Sequence, residues 1–151
     1  HPYLRQHLAD FKRHALPEIN FIEDTTTSLQ DVLAQSSLLL TDYSSVAFDF
    51  ALLKRPIIYF QFDAEQFFAN HSYKKGYFEY TQQGFGPVAH SQHDVHTALL
   101  AYAENGCTME AVYRERVTNF FAYIDQNNCQ RVYEALLACS QPYTDQTRSL
   151  P

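Results

Sequence analysis

The 151-residue chain has no tryptophan, one methionine and three cysteines. Cys107, Cys129 and Cys139 are odd in number and show no C-x-x-C or zinc-type spacing. They read as reduced thiols of a cytoplasmic protein, not as a disulfide framework. No apolar run reaches the roughly 18 residues of a membrane span, and no signal peptide is visible. Lys and Arg total 11 against 17 Asp and Glu, a net charge of −6 at pH 7. The basic stripe that broad nucleic-acid binding requires is therefore missing. A small anionic ligand stays admissible, because it needs only a few local donors. There are no internal repeats and no low-complexity segments. The chain opens at His1-Pro2 without an initiator methionine, so a piece of a longer protein is expected.

What is present is apolar and strongly aromatic: 46% hydrophobic residues, with 12 Phe and 11 Tyr. That suffices for the core of one domain. Leu4, Leu8 and Phe11 have helical spacing and predict a helix from Tyr3 to Ala15. A short strand is expected at Glu18–Asp24. Ser28 caps a helix to about Gln35, with Asp31 three residues on. Ser36–Thr41 reads as a strand, and its apolar run suggests a central parallel position covered on both faces. A helix over Ser45–Leu53 follows, ended by Arg55-Pro56, and then a strand over Ile57–Phe62. Strand and helix thus alternate through short connections, which predicts a parallel, Rossmann-like doubly wound α/β sheet flanked by helices.

Gln66–Gln83 reads as a long functional loop with a short helix, and "GFGPVA" as a turn plus a short strand. Ser91 with Asp94 caps a helix to about Glu104, stopped by Asn105-Gly106. Thr108 is expected to cap a long helix with an apolar face of Val112, Val117, Phe120, Phe121 and Ile124. A last helix covers roughly Asn128–Ala138. Residues 1–139 are expected to form the domain and 140–151 a disordered polar tail.

The most informative stretch is "LLLTDYSSVAFDF", Leu38–Phe50. It places Ser44 and Ser45 where a strand passes into a helix. In open parallel sheets ligands sit beyond the carboxyl ends of the strands, and a helix start offers free N–H groups to a phosphate. The plainer alternative is an ordinary serine cap. Asp42 would repel a phosphate and is expected to turn back onto the loop amides, so Thr41 and Asp42 are assigned to loop structure. A receiver domain with Asp42 as phospho-acceptor is a third reading. It would use Glu23-Asp24 as its acidic pair, but it wants a lysine after a late strand, and Lys54 precedes its strand. His90, His93 and His96 recur every third residue. Ser91 as cap leaves His90 outside the helix, so they are not expected to converge on a metal.

"LLLTDYSSVAFDFALLKRPIIYFQFD" resembles the signature of the CDP-glycerol glycerophosphotransferases, the teichoic-acid polymerase family. In the same order, "HPYLRQHL" resembles that family's His-Pro segment. "KKGYFEY" with "GFGPVA" is similar to its Gly-aromatic and Gly-Pro segments, and "DQNNCQRV" to its closing acidic-to-Arg pattern. The resemblance spans most of residues 1–138 and implies the C-terminal, nucleotide-binding half of a GT-B transferase, with an N-terminal acceptor domain outside this chain. It implies CDP-glycerol or CDP-ribitol as donor and a polyol-phosphate or glycan acceptor. CMP would be released, with no cofactor.

Ser44, Ser45, Arg131 and His1 would then hold the donor phosphates. Asp49 would bind ribose, since "TDYSSVAFDFA" also resembles, more distantly, a stretch of UDP-GlcNAc 2-epimerases with an acidic residue at that position. Aromatic residues within Phe67–Tyr80 would stack on cytosine. The catalytic base is expected in the absent half. A cytoplasmic location at the inner face of the membrane is implied, with peripheral association to which Lys74 and Lys75 would contribute. Another GT-B glycosyltransferase, an epimerase-like enzyme or a non-catalytic nucleotide-binding module are the alternatives. Tyr43-Ser44-Ser45 in place of Gly-Gly speaks against the epimerase.

Overall fold

The computed structural model describes residues 7–23, 26–70 and 76–140, with the side chains of 68–70 left out. The chain divides into two compact units, residues 1–36 and 37–151.

The first unit carries helix α1 (Leu8–His14) and helix α2 (Leu29–Gln35). Ser28 caps α2: its Oγ accepts from the Asp31 N–H at 3.1 Å and donates to the Asp31 carboxylate at 2.6 Å. The expected strand over 18–24 is corrected here. Residues 18–23 form no strand; the Ile19 N–H closes a turn on the Leu16 carbonyl at 3.0 Å, and both Ile19 and Ile22 are exposed. A strand needs a partner ladder for its backbone groups, and these residues have none. Asp24 lies outside the described residues.

The second unit is built on a three-stranded parallel sheet: β1 (Leu39–Thr41), β2 (Ile57–Phe60) and β3 (Val88–Ala89), in the order β1-β2-β3. Leu39 pairs with Ile57, and Tyr59 with Val88. The centre of the sheet is therefore β2, not the Leu-rich β1. Among the described residues β1 is an edge strand and its Leu40 is 45% exposed, which corrects the expected central position. In β2, Ile57, Ile58 and Tyr59 are all fully buried.

Helix α3 (Val46–Ala51) joins β1 to β2 and buries Ala47, Phe50 and Ala51. Between β2 and β3 the expected loop holds two short helices, α4 (Ala64–Asn70) and α5 (Tyr80–Gln83). Helix α6 (Gln92–Glu104) starts with a full capping box between Ser91 and Asp94. The Asp94 carboxyl is held below its ordinary range, chiefly by the Ser91 hydrogen bond. Val95 and Tyr102 of α6 pack on Ile58 and Ala89.

Helix α7 (Ala111–Phe120) begins after Glu110, later than expected. Thr108 is not its cap. Its N–H and C=O are both bonded to the Asn105 side chain, at 3.0 and 3.1 Å, in the turn after α6. Of the expected apolar face, Val117 is fully buried, whereas Val112 and Ile124 are half exposed. Helix α8 (Asn128–Ser140) takes in the first residue of the expected tail; residues 141–151 lie outside the described residues. Among the described residues no helix is long and apolar enough to cross a membrane, and Cys107, Cys129 and Cys139 are free thiols.

Candidate functional site

Beyond the carboxyl ends of β1 and β2 lies a cleft of about 770 Å³. Tyr43 and Ser45 reach it from the turn after β1, and Gln61, Glu65 and Phe67 from the segment after β2. Phe78, Glu79 and Tyr80 line it from the approach to α5 and its first residue.

The wall is a set of interlocked rings. Tyr43 stacks on Phe67 at 3.9 Å and meets Tyr80 edge-on at 6.1 Å. Its hydroxyl donates to Asp63 at 3.2 Å, and its carbonyl accepts from the Tyr80 hydroxyl at 3.4 Å. Burial, then the Asp63 hydrogen bond, pushes the Tyr43 phenol well above its ordinary value. Burial also raises Tyr80, with the Asp42 charge adding to it. Both phenols are therefore neutral donors at physiological pH. Phe48, Phe78, Phe85 and Phe120 continue the ring cluster at centroid distances of 5.0 to 5.7 Å.

The Thr41–Ser45 turn divides the work between its two serines. Asp42 folds back, its Oδ1 accepting the Ser44 N–H at 3.2 Å. The Ser44 Oγ accepts the Val46 N–H at 3.4 Å, so the cap is Ser44's, and a long one. Ser45 occupies the position before α3 in helical conformation (φ −64°, ψ −15°), and its hydroxyl makes no cap hydrogen bond. It lines the cleft instead. The two readings of the serine pair thus fall on different residues.

The other expected site residues are not gathered there. Asp49 is exposed on α3 and outside the cleft lining. Arg131 is engaged elsewhere. Its guanidinium donates to both Asp125 carboxylate oxygens at 2.6 and 3.2 Å and to the Asn128 side-chain Oδ1 at 2.7 Å, and it lies over the Tyr123 ring at 3.9 Å. That pairing lowers the Asp125 carboxyl and raises the guanidinium further. Thr41 closes β1 opposite Tyr59. The His90 ring Nδ1 bonds the Gln61 carbonyl at 3.1 Å, and the His90 backbone N–H donates to the Asp94 carboxylate. His1, Lys74 and Lys75 lie outside the described residues.

Sequence reasoning missed Tyr43 as the post of the cleft and Gln61 as its floor. Both had a signal. Tyr43 is the one large residue in a turn of small and acidic ones. Gln61 is a polar residue in phase with Ile57 and Tyr59, which a period of two assigns to one face.

The family model of the CDP-glycerol:poly(glycerophosphate) glycerophosphotransferases matches residues 1–138. The minor teichoic acid biosynthesis protein GgaB of Bacillus subtilis is 39% identical over 137 residues, covering 91% of this chain and 14% of the relative. The teichoic acid glycerol-phosphate transferase of Staphylococcus aureus is 34% identical over 83 residues, covering 54% of this chain and 20% of the relative. This chain therefore spans about a seventh to a fifth of the length of those relatives. Among solved structures, the wall teichoic acid polymerase TagF superposes with a TM-score of 0.58 at 22% identity, over 88% of this chain and 33% of that one. At that identity the likeness concerns the fold alone.

Proposed function

The chain belongs to the CDP-glycerol:poly(glycerophosphate) glycerophosphotransferase family, and from that premise we propose that it is the donor-binding part of a transferase that passes a polyol phosphate from a CDP-polyol to an acceptor. The observation that carries the reading is Ser45: its hydroxyl makes no cap hydrogen bond to the helix it precedes, and the residue lines a cleft at the carboxyl ends of parallel strands.

The donor is CDP-glycerol or CDP-ribitol. An acceptor hydroxyl attacks the β-phosphorus, forming the new P–O bond. The bridge to the α-phosphorus breaks, CMP leaves, and the hydroxyl proton passes to a base. Negative charge grows on the bridging and equatorial oxygens, so fixed N–H and O–H donors are what this chain contributes. Ser45 supplies a hydroxyl and Ser44 a second, which it shares with its cap. Asp42 already occupies the Ser44 amide, and this turn therefore holds a diphosphate mainly through Ser45. Asp49, one turn into α3, takes the ribose hydroxyls. Arg131 joins the phosphates only by exchanging Asp125 for them, and His1 is assigned to the same phosphates. The base, and the acceptor site, belong to the intact protein beyond this chain, which works at the cytoplasmic face of the membrane.

Calorimetric titration of the intact protein with CDP, CDP-glycerol, CDP-ribitol and UDP tests the reading. Heat with the cytidine ligands and none with UDP is expected; preference for UDP would move the chain to another nucleotide-dependent class. Ser44→Ala combined with Ser45→Ala should cost about 1 kcal/mol of stability through the lost cap. It should cost roughly 1.5–3 kcal/mol of donor binding, since hydrogen bonds to charged groups contribute that much. A variant that melts lower yet binds CDP-glycerol normally would make both serines structural.

A further inference from the structure

Gln61 is 6% exposed and lines the cleft, and its side-chain Nε2 has no hydrogen-bond partner among the described residues. Buried amides are nearly always paired, because an unsatisfied donor costs its full desolvation. Its backbone, by contrast, is fixed on both sides. The Gln61 N–H donates to the Ala89 carbonyl at 2.9 Å, and its own carbonyl meets the His90 ring. The strand period then directs the side chain to the Tyr59 face, where the cleft opens, and away from α6. The terminal torsion of a glutamine is soft, so rotation about it can bring the unpartnered Nε2 to a ligand in the cleft.

The surroundings restrict what could satisfy it. The charged side chains among the described lining residues are two carboxylates, Glu65 and Glu79. Asp63, on the Tyr43 hydroxyl, adds a third just behind. Away from Ser45, these described residues offer a phosphate only like charge. The rings of Phe67, Phe78 and Tyr80 offer apolar surface, but Tyr43 already covers Phe67, and the other ring contacts around Tyr80 are edge-on. Among the described residues the stacked ring pair of this wall, Tyr43 on Phe67, is already closed on itself. A neutral group with several hydroxyls and C–H faces fits all three features. Its C–H groups pack on the rings, its hydroxyl protons go to the carboxylates, and one of its oxygens accepts from Gln61.

We propose that this cleft is a neutral polyhydroxyl subsite, for a polyol or sugar residue, and that Gln61 Nε2 is its specificity-determining donor. The placement rests on the donor reading above. Ser45 is on the cleft and Asp49 is not. With the diphosphate at Ser45 and the ribose at Asp49, the nucleoside runs along α3, and the polyol end is what enters the cleft. An acceptor polyol would present the same chemistry.

The test compares wild type with Gln61→Leu and Gln61→Glu in the intact protein, using CMP, CDP, CDP-glycerol, CDP-ribitol and free ribitol. Loss of one hydrogen bond corresponds to about a fivefold to tenfold weaker affinity. Gln61→Leu should show that loss for the CDP-polyols and leave CMP and CDP within about twofold. Its melting temperature should hold or rise, because an unpaired buried donor has been removed. An equal loss for CMP would make Gln61 a nucleobase contact and overturn the polyol assignment. Unchanged affinity for every ligand would leave Gln61 with a buried water only, and overturn it too. If wild type binds no cytidine ligand, the donor reading falls by itself. Ribitol binding that Gln61→Leu weakens would then sustain the subsite as an acceptor site, and its absence would end it.

Discussion

The two faces of β2 are both closed to water and are built from different material. On one, Ile58 and Ala89 meet Val95 and Tyr102 of α6, with Leu38, Phe60 and Ala98 around them. On the other, Tyr59 meets Tyr80 at 5.0 Å, and Tyr80 leads to Phe78, Phe48, Phe85 and Phe120. The first face closes as far as its helix reaches. The second is made of rings whose edges and hydroxyls remain usable: the Tyr59 hydroxyl accepts the Phe85 N–H at 3.4 Å, and the Tyr80 hydroxyl holds the Tyr43 carbonyl. The α6 face is mainly aliphatic, and Tyr102 there spends its hydroxyl on Glu110. Aromatic packing excludes water and also carries polar groups to its margin, and the cleft forms on that margin.

The largest expected effect is at the seam the two faces share. A Cβ at Gly86 would lie 1.7 Å from the Ile57 carbonyl oxygen. Ile57 is in the central strand, so the obstacle is backbone and cannot swing aside. Gly86→Ala should therefore exceed the roughly 1–3 kcal/mol usual for overpacking, and chemical denaturation should show loss of the folded state rather than a shifted midpoint. A variant that folds with near-normal stability would mean that β2 and β3 can separate without consequence for either face.

Next come paired truncations, one per face. Ile58→Ala should cost about 2–5 kcal/mol and leave ligand affinity intact, because its side chain points to α6. Phe78→Ala, from the half-buried cleft wall, should cost less stability yet weaken CDP-polyol binding. Denaturation and calorimetry on the same two samples decide it. If both variants lose affinity in proportion to stability, the division of labour between the faces is wrong.

The smallest effect belongs to one hydroxyl. Burial pushes the Tyr59 phenol up to about 12 from an ordinary 10.0. The folded value is the higher one, so the neutral phenol's contribution is complete below pH 10 and is lost as pH rises through about 12. Tyr102, on the opposite face, is raised as well, by burial and then by its hydrogen bond to Glu110. Alkaline melting curves should fall in that window, in step with phenol ionisation followed by ultraviolet difference absorbance. Tyr59→Phe should remove part of the fall, at about 1 kcal/mol for the lost hydrogen bond. An unchanged alkaline limb would place the titrating group elsewhere.

What could be read along the chain was what closes within a few residues. Ser28 with Asp31 and Ser91 with Asp94 are caps whose donor and acceptor sit three positions apart, so the sequence contains both halves. Thr108 failed by the same logic: Asn105, also three positions away, captured its backbone first. The segment over 18–24 failed for the opposite reason. Its apolar residues suit a strand, but a ladder needs a neighbour far away in sequence, and none is found among the described residues.

By itself, then, the sequence determined the alternation of helix and strand from α2 to β2, the parallel α/β class and the family signature from Leu38 to Asp63. Each of these is local, or is carried by residues consecutive in the chain. Only the tertiary structure decided that β2 and not β1 is central, and that Arg131 is held by Asp125. It also separated the two serines, one capping and one lining the cleft, and left Gln61 buried with an unpaired Nε2 in a cleft that two carboxylates also line. Those outcomes depend on which surfaces meet. Register across the sheet, desolvation and competition for partners are properties of neighbours in space, and no window of sequence contains them.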